Sequence, residues 1–130
     1  MFEEISVSTS ARVQLIDITS QIEKIVEASK IKEGLCIIYV PHTTAAITIN
    51  ENADPSVQKD IIMGLNKVIP LNWEYTHMEG NSDAHLKSSI IGASETVIIH
   101  KGRLELGTWQ GIYFCEFDGP RNRKVSIKVV

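Results

Sequence analysis

The sequence predicts an α+β fold: a single compact domain over residues 1–130, with a mostly antiparallel sheet of about eight strands and about three helices. Short runs rich in Val, Ile and Thr recur along the whole chain, separated by Gly, Pro, Asn and Asp. Only three segments change to helical spacing. No linker, repeat or low-complexity stretch divides the 130 residues, a length that suits one core.

Residues 2–9 and 12–18 mix β-branched and polar side chains at short period, and a turn near Thr9-Ser10 would join them as a hairpin. Ser20 and Glu23 have capping-box spacing, and Ile22, Ile25 and Val26 share one face of a helix that should end near Gly34. Residues 35–40 form an apolar run too short for a good helix, hence a strand buried on both faces and stopped by Pro41. Residues 45–52 alternate as another strand. Asp54-Pro55 opens the second helix, an acceptor at the cap followed by a residue whose missing N–H costs nothing there. Val57, Ile61, Leu65 and Val68 carry that helix towards Pro70. A short third helix runs through Leu86 and Ile90, capped by Ser82 or Asp83 and closed at Gly92. Strands at 96–100, 103–106, 112–117 and 124–129 complete the chain, with Lys101-Gly102 and Asp118-Gly119-Pro120 as turns. Residues 112–117 are apolar on both faces apart from Glu116.

A net charge of −3 offers no basic footprint for a polyanion, so nucleic acid is not an expected partner. Met1-Phe2-Glu3-Glu4 lacks the basic start of a signal peptide, and no apolar stretch approaches the roughly 20 residues that span a bilayer. A cytoplasmic protein with no membrane contact is expected. Cys36 and Cys115 sit in apolar strand-like runs without CxxC spacing, which predicts buried, reduced thiols. No Walker loop, GxGxxG or GxSxG is present, which removes the common nucleotide and hydrolase readings.

Chemistry-bearing groups are densest between Tyr75 and His85, where two imidazoles, two carboxylates, an amide and a glycine share eleven residues. His77 and His85 flank Gly80, which lets the loop fold back, and His42 at a strand end can supply a third nitrogen. Three imidazoles with an open position describe a catalytic divalent site, for which zinc is the expected metal. A place in the first helical turn sets His85 at the positive end of the dipole, which favours the neutral ring. Glu79 has no helix to cap and is the candidate general base, whereas Asp83 is placed to cap. Asn50, Glu51, Asn52 and Asp54 crowd a strand-to-helix junction where main-chain N–H groups can receive an anion. Between Gly107 and Gly111, Trp109 and Gln110 either meet a planar ligand or plug the core. Arg121 and Arg123 follow a turn and either grip phosphate or are simply solvated.

His42-Thr43-Thr44-Ala45-Ala46, Ile49-Asn50-Glu51-Asn52-Ala53-Asp54-Pro55, His77-x-Glu79-Gly80-Asn81-Ser82-Asp83-Ala84-His85, Gly102-Arg103-Leu104, Leu106-Gly107-Thr108-Trp109-Gln110 and Glu116-Phe117-Asp118-Gly119-Pro120-Arg121 follow one another along nearly the whole chain. In that order they resemble the YjbQ-like family, whose members are called secondary thiamine-phosphate synthases. The resemblance implies a compact α+β subunit assembled as a homotrimer, with the histidine motifs grouped in a pocket. It also implies an activity, main or secondary, that joins an aminopyrimidine diphosphate to a thiazole phosphate. Two readings follow. In a metal-assisted enzyme, His42, His77 and His85 hold the cation and Glu79 moves a proton. Asn50, Glu51, Asn81, Trp109, Gln110 and Arg121 then bind a small phosphorylated or heteroaromatic substrate. In the other reading, the same pocket belongs to a non-catalytic binding protein for a phosphorylated metabolite or a metal.

Overall fold

A computed structural model describes all 130 residues. Its elements run β1 (Phe2–Ser8), β2 (Gln14–Asp17), α1 (Thr19–Ser29), β3 (Gly34–Tyr39), β4 (Ala45–Glu51), α2 (Pro55–Val68), α3 (Ser82–Ile91), β5 (Ser94–His100), β6 (Arg103–Leu104), β7 (Gln110–Glu116) and β8 (Asn122–Val129). The α+β class and the count of eight strands and three helices are as the sequence predicts. The strands divide into two sheets, five in the order β1-β8-β3-β5-β6 and three in the order β2-β7-β4. Every pairing is antiparallel.

β1 and β2 are not the hairpin that their spacing suggests. β1 pairs with β8, and β2 pairs with β7 in the other sheet, so residues 9–13 cross between layers. A local turn signal marks where the chain bends; it does not say which partner the next strand finds. α1 also departs from expectation. It begins at Thr19, whose N–H and hydroxyl both donate to Asp17 Oδ1 at 2.9 and 2.5 Å, and it ends at Ser29 with Lys30 in the left-handed region. Asp54 caps α2 as predicted, accepting from the Ser56 N–H at 2.9 Å with Pro55 in the first turn.

The core lies between the sheets. Ile5, Val7, Cys36, Ile38, Val97, Ile99, Val125, Ile127 and Val129 point inward from the larger sheet to meet Ile47, Ile112 and Phe114, while α1 adds Ile22 and Val26. Burial alternates along β8 with the period of two that a strand imposes. A smaller cluster of Ala46, Ala84, Cys115 and Phe117 lies on the opposite face of the three-stranded sheet, with Leu65 and Ile91 against it. Both faces of β7 are therefore covered, as its sequence requires. β3 is covered on one face only: Cys36 and Ile38 are buried, but Leu35 and Tyr39 are exposed on the outer side. Both cysteines are free and buried, and burial pushes their thiols up to about 11 for Cys36 and about 12 for Cys115.

At one end of the core the inward rows of β7 and β8 finish in charge. Glu116 follows Ile112 and Phe114, and Arg123 precedes Val125; both are buried. The Arg123 guanidinium donates to both Glu116 carboxylate oxygens, through Nε at 2.9 and 3.2 Å and through Nη2, and Nη2 also donates to Thr44 Oγ1 at 2.9 Å. The Thr9 hydroxyl at 2.7 Å and the Asp118 N–H at 3.1 Å donate to the same carboxylate. The pair thus ties β8 to β7 and holds the ends of three loops. Burial alone would raise the Glu116 carboxyl, but the Arg123, Thr9 and Asp118 donors outweigh it and hold it below its ordinary 4.5.

A depressed carboxylate contributes stability that is complete above its unfolded value and is lost as pH falls through the folded one. Glu116→Gln should therefore cost about 3–5 kcal/mol at neutral pH, because Arg123 is left buried without its countercharge. Urea unfolding should show the difference shrinking below pH 4.5 as the wild-type carboxylate protonates.

Candidate functional site

Three segments meet at the end of the sandwich that the Glu116–Arg123 pair closes. Residues 40–44 cross from β3 to β4, residues 117–121 cross back from β7 to β8, and residues 77–81 lead into α3. Between them opens a cleft of about 640 Å³ with no hydrophobic side chain in its lining. Arg12, Thr44, His77, Glu79, His85 and Arg121 are among its walls, with Gly80, Asn81 and Asp118. Gly119 belongs here for a steric reason: a Cβ would lie 2.3 Å from the Ala11 carbonyl oxygen, and its own N–H donates to the Arg12 carbonyl at 3.0 Å.

The two loop histidines do come together. Their rings stand edge to face with centroids 5.5 Å apart, and His77 Nε2 lies 3.7 Å from Glu79 Oε2. His42 does not join them, and no three His, Cys, Asp or Glu side chains gather closely enough to hold a metal ion. The reason is local: His42 Nε2 accepts the Lys124 N–H at 3.0 Å, which fastens the ring to the start of β8. That bond puts the neutral ring's proton on Nδ1. Desolvation, helped by the nearby Arg123 charge, lowers the His42 pKa from its ordinary 6.5.

Asp83 is not the cap its position suggests; α3 has Asn81 at its N-cap and no side-chain cap bond. Instead the Asp83 carboxylate is fully buried and receives both Arg12 Nη atoms at 3.0 and 2.9 Å and Lys87 Nζ at 3.1 Å. Lys87, itself buried, donates onward to Asn66 Oδ1 at 2.6 Å and so links α3 to α2. Burial would raise the Asp83 carboxyl, but Arg12 and Lys87 prevail and hold it below 3.8. Asn81 donates from Nδ2 to Asp118 Oδ2 at 2.9 Å, while its own Oδ1 is buried without a partner. Arg121 reaches Asp118 through its carbonyl at 2.9 Å and its carboxylate at 3.0 Å, and half of its side chain remains exposed. Arg123 is spent on Glu116 and is not available to a phosphate.

The other predicted binding residues lie elsewhere. Asn50 pairs with Gly111 and Glu51 with Gln110, at the end of β4 and β7 opposite the Ala45–Glu116 pair. Six residues of strand separate the two ends, about 20 Å. Trp109 is neither plug nor cleft wall; its side chain is exposed. Sequence reading missed Arg12, Thr43, Thr44 and Asp118 as cleft residues. Thr43-Thr44 beside His42 and the turn residue Asp118 were visible as polar groups at chain reversals, whereas nothing local connected Arg12 to residue 83.

These features define the class: a two-sheet α+β domain with a charged, two-histidine cleft at one end. The chain belongs to the family described as UPF0047 protein YjbQ-like, which matches residues 3–130. It is 56% identical to a UPF0047 protein of Methanocaldococcus jannaschii, over all of this chain and 94% of the relative. To the UPF0047 protein YugU of Bacillus subtilis it is 53% identical, over all of this chain and 99% of the relative. A crystal structure of a YjbQ/UPF0047 family protein from Clostridium acetobutylicum, 54% identical, superposes with a TM-score of 0.97 over 98% of this chain and 99% of that one. One from Sulfolobus solfataricus, 38% identical, gives 0.96 over 99% and 95%.

The Lys124–His42 bond fixes a tautomer that can be read directly. Nitrogen NMR should find His42 protonated on Nδ1 at neutral pH and titrating below 6.5. A His42 ring that carries its proton on Nε2 could not accept the Lys124 N–H and would overturn that bond.

Proposed function

We propose that the polar cleft binds a small phosphorylated substrate and that the protein is an enzyme of the secondary thiamine-phosphate synthase type, which joins an aminopyrimidine diphosphate to a thiazole phosphate. The observation that carries this reading is the lining itself: two guanidinium groups, two imidazoles and a free carboxylate around one opening, with no apolar wall. Arg121 and the uncapped start of α3 supply positive charge for a departing diphosphate. Arg12 is held on its far side by Asp83 and adds its field to the same wall. Glu79, 3.7 Å from His77 Nε2, is the proton-carrying group.

Zinc enters the proposal through His77 and His85, whose paired rings suit a borderline cation. When bound, the ion would supply a Lewis acid for phosphate oxygens. His42 could join only by giving up the Lys124 N–H. The exposure of Glu79, 73% of its side chain, favours the second reading, a binding protein for a phosphorylated metabolite, since a working base is usually shielded from water. A cytoplasmic location belongs to the same proposal. No helix is long and apolar enough to cross a membrane. A homotrimer is the proposed assembly, and the exposed Leu35, Tyr39 and Ile98 on the outer face of the five-stranded sheet support it.

Glu79→Gln should leave the melting temperature and zinc content unchanged while turnover of the two phosphorylated substrates falls roughly 10²–10⁴-fold. Undiminished turnover in that variant would take catalysis away from Glu79. Ligand binding without product, at any zinc loading, would establish the binding protein. Sedimentation at micromolar concentration should give three subunits per particle, and a stable monomer would remove the trimer.

A further inference from the structure

Leu106-Gly107-Thr108-Trp109-Gln110 has no task within the subunit, yet its backbone is firmly built. The Gln110 N–H donates to the Gly107 carbonyl at 3.0 Å, the Gly107 N–H to Gln110 Oε1 at 2.8 Å, and the Asn52 N–H to the Trp109 carbonyl at 2.9 Å. Gly111 lets the turn press against the end of β4, since a Cβ there would lie 2.6 Å from Asn52 Nδ2. The indole that this turn carries is nevertheless 63% exposed. A large apolar ring held out on a fixed turn loses little freedom when it is covered, and Trp is among the residue types enriched where protein surfaces bind most tightly. Its surroundings are polar. Asn50 and Asn52 are exposed beside it, and Asp17, Glu51 and Asp54 take part in none of the ion pairs of the subunit.

The polar cleft lacks what this turn carries. It has no apolar wall, and its His77 and Glu79 side chains are 47% and 73% open to water. Trp109 cannot supply the wall to its own cleft, because β4 and β7 hold the two about 20 Å apart. A second copy can. In a ring of identical subunits every contact joins unlike patches, so one end of a subunit meets a different part of the next.

A continuous surface leads a partner to the cleft. A shallow depression shares Thr43, Thr44 and Arg121 with the cleft and is bounded on its other side by Tyr39 and Pro41. Tyr39, half exposed, belongs to the outer apolar face of the five-stranded sheet, together with Leu35 and Ile98. A subunit seated on that face therefore reaches the cleft rim without crossing a ridge of charge. Arg121, with half of its side chain free, then stands ready for the unpaired carboxylate of Glu51.

We propose that the site is shared between subunits: Trp109 of the partner subunit closes the cleft formed by Arg12, His77, Glu79, His85 and Arg121, and serves as its missing flat apolar wall. The proposal rests on the trimeric assembly and on the reading of the cleft as a ligand site, and each of the three can fail separately.

Thr108→Cys and Glu79→Cys, at opposite ends of the three-stranded sheet, are combined in one chain and treated with a short bismaleimide; the native Cys36 and Cys115 are buried. Covalent dimers and trimers should appear on a denaturing gel, and should be lost in either single variant. A second measurement leaves the cleft and the turn untouched. Trp73→Phe makes Trp109 the only indole of the chain, and its emission should be blue-shifted and shielded from acrylamide. Binding of inorganic pyrophosphate, followed by calorimetry, tests the cleft by itself. A sedimenting trimer whose Trp109 is as open to acrylamide as free tryptophan, or whose double variant gives no linked species, would overturn the shared site and leave the trimer standing. A stable monomer would overturn both. Linked species without pyrophosphate binding would uphold the shared site and sink the phosphate reading.

Discussion

Everything at the working end of this molecule depends on two charges that water does not reach. Glu116 and Arg123 occupy inward positions on facing sheets, where the pattern of β7 and β8 otherwise supplies Ile, Phe and Val. An ion pair buried in this way gains little over a well-packed apolar pair, because desolvating both charges offsets most of their attraction. What it gains is direction. A guanidinium and a carboxylate meet in only a few geometries, and here the remaining lone pairs and N–H groups are assigned to Thr9, Thr44 and Asp118. Those three residues begin or end the loops that shape the cleft, so the pair sets loop positions that apolar packing would leave free to slide.

A second buried network acts on the helix side. Arg12 comes from the crossing between β1 and β2, Asp83 and Lys87 from successive turns of α3, and Asn66 from α2. None of these elements shares a hydrogen-bonded ladder with another. The network therefore sets the angle at which α3 enters, and with it the positions of Asn81 and His85. It also explains how a helix with little amphipathic character is held, since its buried side includes Ser82, Asp83, Lys87 and Ser88. Polar contacts replace the apolar stripe that usually docks a helix.

The contrast between β7 and β3 shows what the sequence could reveal. Each is a continuous apolar run, and each reads as a strand covered on both sides. For β7 that is correct, because α2 and α3 happen to cover its outer face through Phe117 and Cys115. For β3 nothing in the subunit does so. Periodicity reports that a face is apolar; which element covers it is decided by the topology. The same limit applied to the site. His77, Glu79, Asn81 and His85 were legible because one loop holds them, and Arg121 because it follows a turn. Arg12 was not, since its partner lies 71 residues away, and the Asp83–Lys87 pair, although at the four-residue spacing of a helical ion pair, gave no sign of being buried.

That the chemistry gathers at only one end of the three-stranded sheet has a structural cause. At the Ala45–Glu116 end, three crossings between sheets, 9–13, 40–44 and 117–121, run close together, and each leaves the ladders, so their backbone and side-chain polar groups need other partners. The buried pair, the Lys124–His42 bond and the Asn81–Asp118 bond supply those partners and stiffen the loops while doing so. At the Glu51–Gln110 end the chain also leaves the sheet, but the side-chain bonds there, such as those of Gln58 and Tyr113 to the Glu51 carbonyl oxygen, join no charged groups, and Trp109 stands in solvent. A ligand site needs groups whose positions are fixed before the ligand arrives. Only the end closed by Glu116 and Arg123 meets that condition within one subunit, which is why the histidine motif and the Asp118-Gly119-Pro120-Arg121 turn share a cleft while the Trp109-Gln110 motif stands apart.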